Sequence, residues 1–157
     1  MLTFRPAGRA DCALILRFIR ELAEYERMLP AVSATEQLLE EWLFDKHTAE
    51  VLFALLDGRE IGYALYFHNF STFLGKAGLY LEDLYVETEY RGQGIGKAFF
   101  QQLAQIAAKR GCDRLDWMCL DWNESSIRFY RSLGAKALED WTVYRLEGEA
   151  LQNLGAT

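Results

Sequence analysis

The apolar run Leu79 to Val86 leads into Arg91-Gly92-Gln93-Gly94-Ile95-Gly96, which opens a stretch with Phe99, Leu103, Ile106 and Ala107 on one helical face, ended by Gly111. A strand, a glycine-rich loop and a helix in immediate succession constrain the fold of this chain more than any other feature. Glycines at alternate positions let backbone N–H groups approach an anion closely, and the helix they open turns its positive dipole end to the same point. Phosphate binding is the physical reading. In isolation the same hexamer reads equally well as a tight strand-to-helix turn. Arg91 and Lys97 add positive charge beside the helix start, where each such local interaction is worth on the order of 0.3–1 kcal/mol.

Two commoner glycine fingerprints do not fit. Dinucleotide folds use G-x-G-x-x-G, whereas here the third glycine, Gly96, arrives one residue early and Lys97 follows it. A nucleotide-triphosphate loop needs glycine where Arg91 stands and serine or threonine where Ala98 stands.

The remaining elements follow from periodicity and caps. Thr3 to Arg5 predicts a short strand. Asp11 caps a first helix running to about Met28, with Leu14, Ile15, Phe18, Leu22 and Tyr25 on its apolar face. Ser33 with Glu36 is a capping-box signal for a second helix whose apolar face is Leu38, Leu39, Trp42 and Leu43. Val51 to Leu56 and Ile61 to Phe67 form a hairpin across Asp57-Gly58. After a loop from Asn69 to Lys76 come the strand, glycine loop and helix already described. Arg114 to Leu120 reads as a further strand, Asn123 as the cap of a short helix through Ser132 ended by Gly134, and Trp141 to Leu146 as the strand that closes the sheet. The order predicts an α/β fold, a mixed sheet sandwiched by helices.

No repeat, linker or low-complexity tract interrupts the 157 residues, which predicts one domain over 1–157. With 17 basic and 23 acidic side chains the formal net charge is −6, a field that repels polyanions. Nucleic acid is therefore not expected as a partner, and a cationic small molecule is. Cys12, Cys112 and Cys119 are odd in number and lack C-x-x-C spacing, so neither a disulfide framework nor a metal site is expected and a reducing cytoplasm fits. The start of the chain does not read as a signal peptide, and no apolar run reaches the ~20 residues of a membrane span.

The hexamer satisfies Arg/Gln-x-x-Gly-x-Gly and resembles the pyrophosphate loop of the GNAT superfamily of N-acetyltransferases. Glu21-Leu22-Ala23-Glu24-Tyr25-Glu26, Leu81-Glu82-Asp83, Tyr90 to Gly96, and Trp122-Asn123-Glu124 with Phe129-Tyr130 are similar to the diamine acetyltransferases, which act on spermidine, spermine or thialysine. The resemblance runs from Arg5-Pro6 to Trp141. It implies the GNAT acyl-CoA N-acyltransferase fold, a central mixed β-sheet flanked by helices. It also implies acetyl-CoA as co-substrate, a small cationic amine as acceptor and a homodimer with the amine site near its interface, which the aromatic segment Trp141 to Tyr144 is suited to help form.

Residue by residue, the resemblance implies that the backbone of Leu84, Tyr85 and Val86 pairs with the pantetheine arm. Arg91, Gly92, Gln93, Gly94, Ile95, Gly96 and Lys97 would hold the pyrophosphate, and Asn123 and Ser126 would touch the cofactor. Ser125 stands where the family usually has proline, and either residue suits a first helical turn.

Attack of an amine on a thioester needs the amine neutral, yet at pH 7 a lysine-like amine is neutral in only about one molecule per thousand. A proton acceptor is required. Glu82 sits mid-strand beside Asp83, with the two side chains expected on opposite faces, and matches the family carboxylate that binds the amine and relays its proton. Without the resemblance Glu82 reads as a solvated strand carboxylate. Asp83 reads equally as an amine contact or a salt-bridge partner. The departing thiolate needs a proton, and Tyr130 matches the family's general acid, although alone it reads as a core aromatic with a hydrogen-bonded tip.

Tyr25 and Glu26 match positions around the amino-alkyl chain, with Glu139 or Asp140 as a further acidic contact, and Phe73 stands where the spermidine enzymes have tryptophan. Cys119, His47 and His68 receive no role. Acetylation of a protein N-terminus or lysine, and a non-catalytic acyl-CoA sensor, are the alternatives.

Overall fold

Asp57 and Gly58 both have positive φ, 50° and 86°, as a type I′ turn requires. They join β2 (Glu50–Leu56) to β3 (Arg59–Ser71) in an antiparallel hairpin. The computed structural model describes residues 1–156. Around this hairpin stand β1 (Leu2–Pro6), β4 (Lys76–Val86) and β5 (Leu115–Trp117), in a five-stranded sheet of order β1-β2-β3-β4-β5. All neighbours are antiparallel except β4 and β5, which are parallel. A parallel pair needs a crossover, and helix α3 (Ile95–Lys109) supplies it. The mixed sheet is as expected.

Helix α1 (Cys12–Tyr25) covers one face of the sheet. Ile15 and Phe18 pack with Phe53, Tyr63 and Tyr85, and the Phe18 ring is stacked on Tyr63 with centroids 5.6 Å apart and planes 8° off parallel. Leu39 and Leu43, from the short helix α2 (Glu36–Leu39) and the π-helical turn Glu40–Asp45 that continues it, close this cluster. Phe99 and Leu103 of α3 are fully buried on the other face, where Phe99 meets Phe4 edge-on at 5.2 Å and Phe100 meets Trp117 at 4.8 Å.

Several local expectations change. Helix α1 stops at Tyr25, short of Met28, in a turn built on Arg27. The cap of α2 is Thr35, whose Oγ1 accepts from Leu38 N–H at 3.1 Å, and not Ser33. Asp11 holds the N-cap position of α1 without capping it through its side chain, because its carboxylate is taken by Gly8 N–H and Arg5. Strand β5 is shorter than Arg114 to Leu120, pairing only over Leu115–Trp117.

The chain forms two compact units, Met1–Met118 and a second from Cys119 on. The second holds helices α4 (Glu124–Ser132) and α5 (Gly148–Gly155). Asn123 Oδ1 accepts from Ser126 N–H at 3.4 Å, the cap expected for α4, and Gly134 ends it with φ 88°. The closing strand expected at Trp141 to Leu146 is absent: this segment has no ladder partner among the described residues, and Trp141, Val143, Tyr144 and Leu146 are exposed. β-propensity alone does not make a strand, since a strand exists only through its pairing. Instead an unexpected helix, α5, places Leu151 and Leu154 three residues apart.

Candidate active site at the parting of two strands

Strand β4 changes partners and register along its length. Its parallel ladder with β5 covers only Leu79–Leu81, and just beyond that point its pairing with β3 slips, from Tyr66↔Leu81 to Leu65↔Asp83. Glu82 is the extra residue, a β-bulge. The bulge resets which way the backbone points. Leu79 N–H donates across to Arg114 O at 2.9 Å, on the β5 side, whereas Glu87 N–H, after the bulge, donates to Ile61 O at 2.8 Å, on the β3 side. By strand alternation the backbone groups of Leu84 and Val86 then face the side β5 has vacated, and those of Tyr85 face β3.

The bulge also changes the expected placement of Glu82 and Asp83 on opposite faces. Tyr80 and Asp83 lie on the α1 side of the sheet, where Tyr80 meets Phe67 at 5.1 Å. The negative charge of Glu82 acts on both the Tyr80 and the Tyr63 phenols. A bulge puts two consecutive side chains opposite one partner, so the simple alternation fails there.

Asp83 is half-buried and accepts a 2.6 Å hydrogen bond at Oδ2 from the Tyr63 hydroxyl, whose side chain is fully buried. Burial raises the Asp83 carboxyl above the ordinary carboxylate range, and the Tyr63 bond pulls it back down. Burial likewise raises the Tyr63 phenol, helped by the charges of Asp83, Glu26 and Glu82. Glu26, at the end of α1, is raised by burial and then by the Asp83 charge. The charges of Glu26, Glu82 and Asp83 thus all act on the Tyr63 phenol, and that of Asp83 also acts on Glu26, so the three carboxyls make an acidic group about Tyr63 on the first unit. Such a group favours a cation.

The loop after β4 is anchored by charge. Glu87 is buried between Arg17 Nη1 at 3.2 Å and Arg59 Nη2 at 3.0 Å, and Arg59 also donates to the Tyr90 hydroxyl at 3.1 Å. Arg91 turns inward: its Nε donates to Val86 O at 2.8 Å, and its guanidinium lies over the Tyr25 ring at 4.5 Å and the Tyr85 ring at 5.4 Å. It links the end of α1 to the glycine loop. Gly92 and Gly94 take φ of 75° and 80°, and Gly94 is the N-cap of α3, so the loop's amides gather at the helix start. Ile95 is buried as the loop's apolar anchor, Gly96 lies in the first turn, and Gln93 and Lys97 are exposed.

Tyr25 is exposed. In the second unit Asn123, Ser126 and Tyr130 are half-buried, with Tyr130 against Phe129 at 5.6 Å on α4. Glu139 and Asp140 are exposed in a turn, and Phe73 projects from the tip of the β3–β4 hairpin with 95% of its surface accessible.

Residues 16–135 match the model of the Acetyltransferase (GNAT) family. This chain belongs to the GNAT acetyltransferases. Over 162 aligned residues the GNAT chain is 41% identical to the thialysine N-epsilon-acetyltransferase of Bos taurus, covering 96% of this chain and 95% of that protein. It is 35% identical to the spermidine/spermine N(1)-acetyltransferase-like protein 1 of Homo sapiens, across 96% of this chain and 23% of that longer one. Among solved structures, an integron cassette protein from the mobile metagenome of V. cholerae superposes with a TM-score of 0.83 at 28% identity, covering 99% of this chain and 98% of that one. The GNAT chain is an N-acetyltransferase.

Tyr63 was not foreseen. In the sequence it is one aromatic within an apolar strand, and only the pairing Tyr63↔Tyr85 and Leu65↔Asp83 makes Asp83 its diagonal neighbour on the same face. The buried Glu87 was missed for a similar reason, since its two arginines lie on α1 and β3.

Proposed function

We propose that this protein transfers the acetyl group of acetyl-CoA to a primary amine of a small cationic acceptor, a polyamine or a thialysine-like amino acid. The observation that carries the reading is the acidic group about Tyr63, with Asp83 bonded to its hydroxyl, at the place where β4 bulges at Glu82 and leaves β5. Negative charge there suits an ammonium group. The vacated strand edge beside it suits an extended amide chain such as the pantetheine arm, which adds to a sheet edge through backbone hydrogen bonds. Leu84 and Val86 supply those groups, and the amides from Gly92 to Lys97 at the start of α3 supply the pyrophosphate site. Asn123 and Ser126 are proposed as further cofactor contacts, and Tyr25 and Glu26 as contacts to the acceptor chain.

In the proposed reaction Glu82 takes the ammonium proton through water. The freed lone pair forms an N–C bond at the thioester carbonyl, the C–S bond breaks as Tyr130 protonates the departing thiolate, and the second proton lost by the new amide nitrogen restores the Tyr130 phenol through water. Acid–base help of this kind is worth about 10²–10⁴-fold. One domain, a reducing cytoplasmic location, consistent with free Cys12, Cys112 and Cys119, and a homodimer using the exposed segment Trp141 to Tyr144 complete the proposal. No helix among the described residues is long and apolar enough to cross a membrane.

The test is a panel of amines, including spermidine, thialysine and lysine-bearing peptides, with release of free CoA thiol as readout. Diamines and thialysine are expected to turn over ahead of peptides, and Tyr130→Phe is expected to lower kcat by about 10²-fold or more while sparing acetyl-CoA affinity. Thiol release from peptides alone would overturn the acceptor class, and an unchanged kcat in Tyr130→Phe would overturn its role.

A further inference from the structure

Tyr63 is fully buried, and its polar tip reaches the acidic group. Its ring is held between elements: stacked on Phe18 of α1 and paired across the sheet with Tyr85. The hydroxyl therefore has little freedom, and it donates to Asp83 Oδ2 at 2.6 Å. A phenol has a single proton to give, so this bond fixes one carboxylate oxygen and leaves Oδ1 for another donor. Hydrogen bonds with a charged partner are the strong ones. Tyr63 from β3 donates to Asp83, and the Asp83 charge acts on Glu26 at the end of α1, so a second carboxyl stands near the first.

We propose that Tyr63 is a positioning residue of the amine site, holding the Asp83 carboxylate in one orientation toward the ammonium group of a cationic acceptor and so setting the affinity for it. This rests on the proposed acetylation of a small cationic amine. Phe18 extends the arrangement, because it ties Tyr63 to the same helix whose end carries Glu26. The acceptor's two acidic contacts are thereby set by one packed stack, Phe18 on Tyr63, and not by flexible surface chains.

The experiment compares wild type with Tyr63→Phe, Asp83→Asn and the double variant, using thiol release with spermidine across pH and, separately, spermidine binding by calorimetry. Tyr63→Phe is expected to raise KM and Kd for spermidine about tenfold, the scale of a lost hydrogen bond to a charged group, with kcat changed less than about threefold and acetyl-CoA affinity unchanged. Because the Tyr63 bond favours ionised Asp83, its loss moves the acidic limb of kcat/KM to higher pH. In the Asp83→Asn background the Tyr63 change is expected to add nothing further. An unchanged KM and acidic limb, or an equal KM rise in both backgrounds, overturns the proposal.

If Tyr63→Phe does not fold, 3-fluorotyrosine placed at position 63 serves instead. As a stronger donor it is expected to move the acidic limb to lower pH, and no movement overturns the proposal. Wild type that binds spermidine but acetylates no amine would overturn the activity while leaving the Tyr63 role to be decided by Kd. Wild type that neither binds nor acetylates it would overturn both.

Discussion

Gly94 carries a backbone demand that no other residue type meets without strain. Its φ of 80° places it in the left-handed region at the N-cap of α3, with no neighbouring protein atom near the site of a Cβ. The constraint is therefore conformational and not steric. Gly94→Ala is expected to cost about 1–2 kcal/mol, seen as a lower Tm, and to weaken acetyl-CoA binding because the amides of the loop move with it. A calorimetric titration that gave the wild-type Kd would argue against the loop as pyrophosphate site. Arg91 makes the complementary point: the hexamer suggested a side chain offered to an anion, whereas its guanidinium is engaged with Val86 O, Tyr25 and Tyr85. Its charge still contributes to the local field, but its contacts are those of a clamp on the loop.

At the scale of elements, two irregularities locate the acidic group. The bulge at Glu82 lets β4 serve β5 with Leu79 and Leu81 and then turn the backbone of Leu84 and Val86 to the open side. The end of α1 is the other. Met28 N–H donates to Ala23 O at 2.7 Å and Arg27 N–H to Glu24 O at 3.0 Å, with Arg27 at φ 60°. This is a Schellman turn with arginine where glycine is usual. It fixes Glu26 as the last residue before the turn. Arg27→Gly is expected to relieve left-handed strain of about 1–2 kcal/mol, partly offset by glycine's extra freedom in the unfolded chain. The net expectation is a Tm higher by about 2–4 °C, and a lower Tm in thermal denaturation would contradict the reading.

Across the first unit, opposed titrations set the response to acid. Arg5 binds Asp11 through two bonds of 2.8 and 2.9 Å and Glu60 at 2.7 Å, and holds both carboxyls below their ordinary range, its hydrogen bonds being the leading cause. A carboxyl lowered in the folded state contributes stability above its unfolded pKa of about 4 and loses it as pH falls through the lower folded value. Asp83 and Glu26 are raised by burial, so the folded state holds their protons longer and their contribution falls as pH rises. The Arg5 network spans β1, β3 and the turn before α1. Arg5→Met is therefore expected to shrink the fall in Tm between about pH 5 and pH 3, within the window where these lowered carboxyls titrate. A slope equal to wild type would refute it.

Sequence alone determined the pieces whose causes are local. Asp57-Gly58 demanded a hairpin, Asn123 a cap, and Gly111 and Gly134 helix ends, because each depends on conformations that few residues adopt. The glycine loop after β4 and before α3 was equally readable, and with it the family. Long-range pairing decided the rest. Whether Trp141 to Leu146 becomes a strand depends on a partner, and β-propensity is no substitute for one. The bulge at Glu82 is invisible without β3, since a slipped register is a property of two strands. The acidic group joins the end of a helix to the middle of a strand 57 positions later, Glu26 to Asp83, and Tyr63 reaches Asp83 only across the sheet. Chemistry at a site is set by what burial and neighbours do to each group, and those are fixed only when distant segments meet.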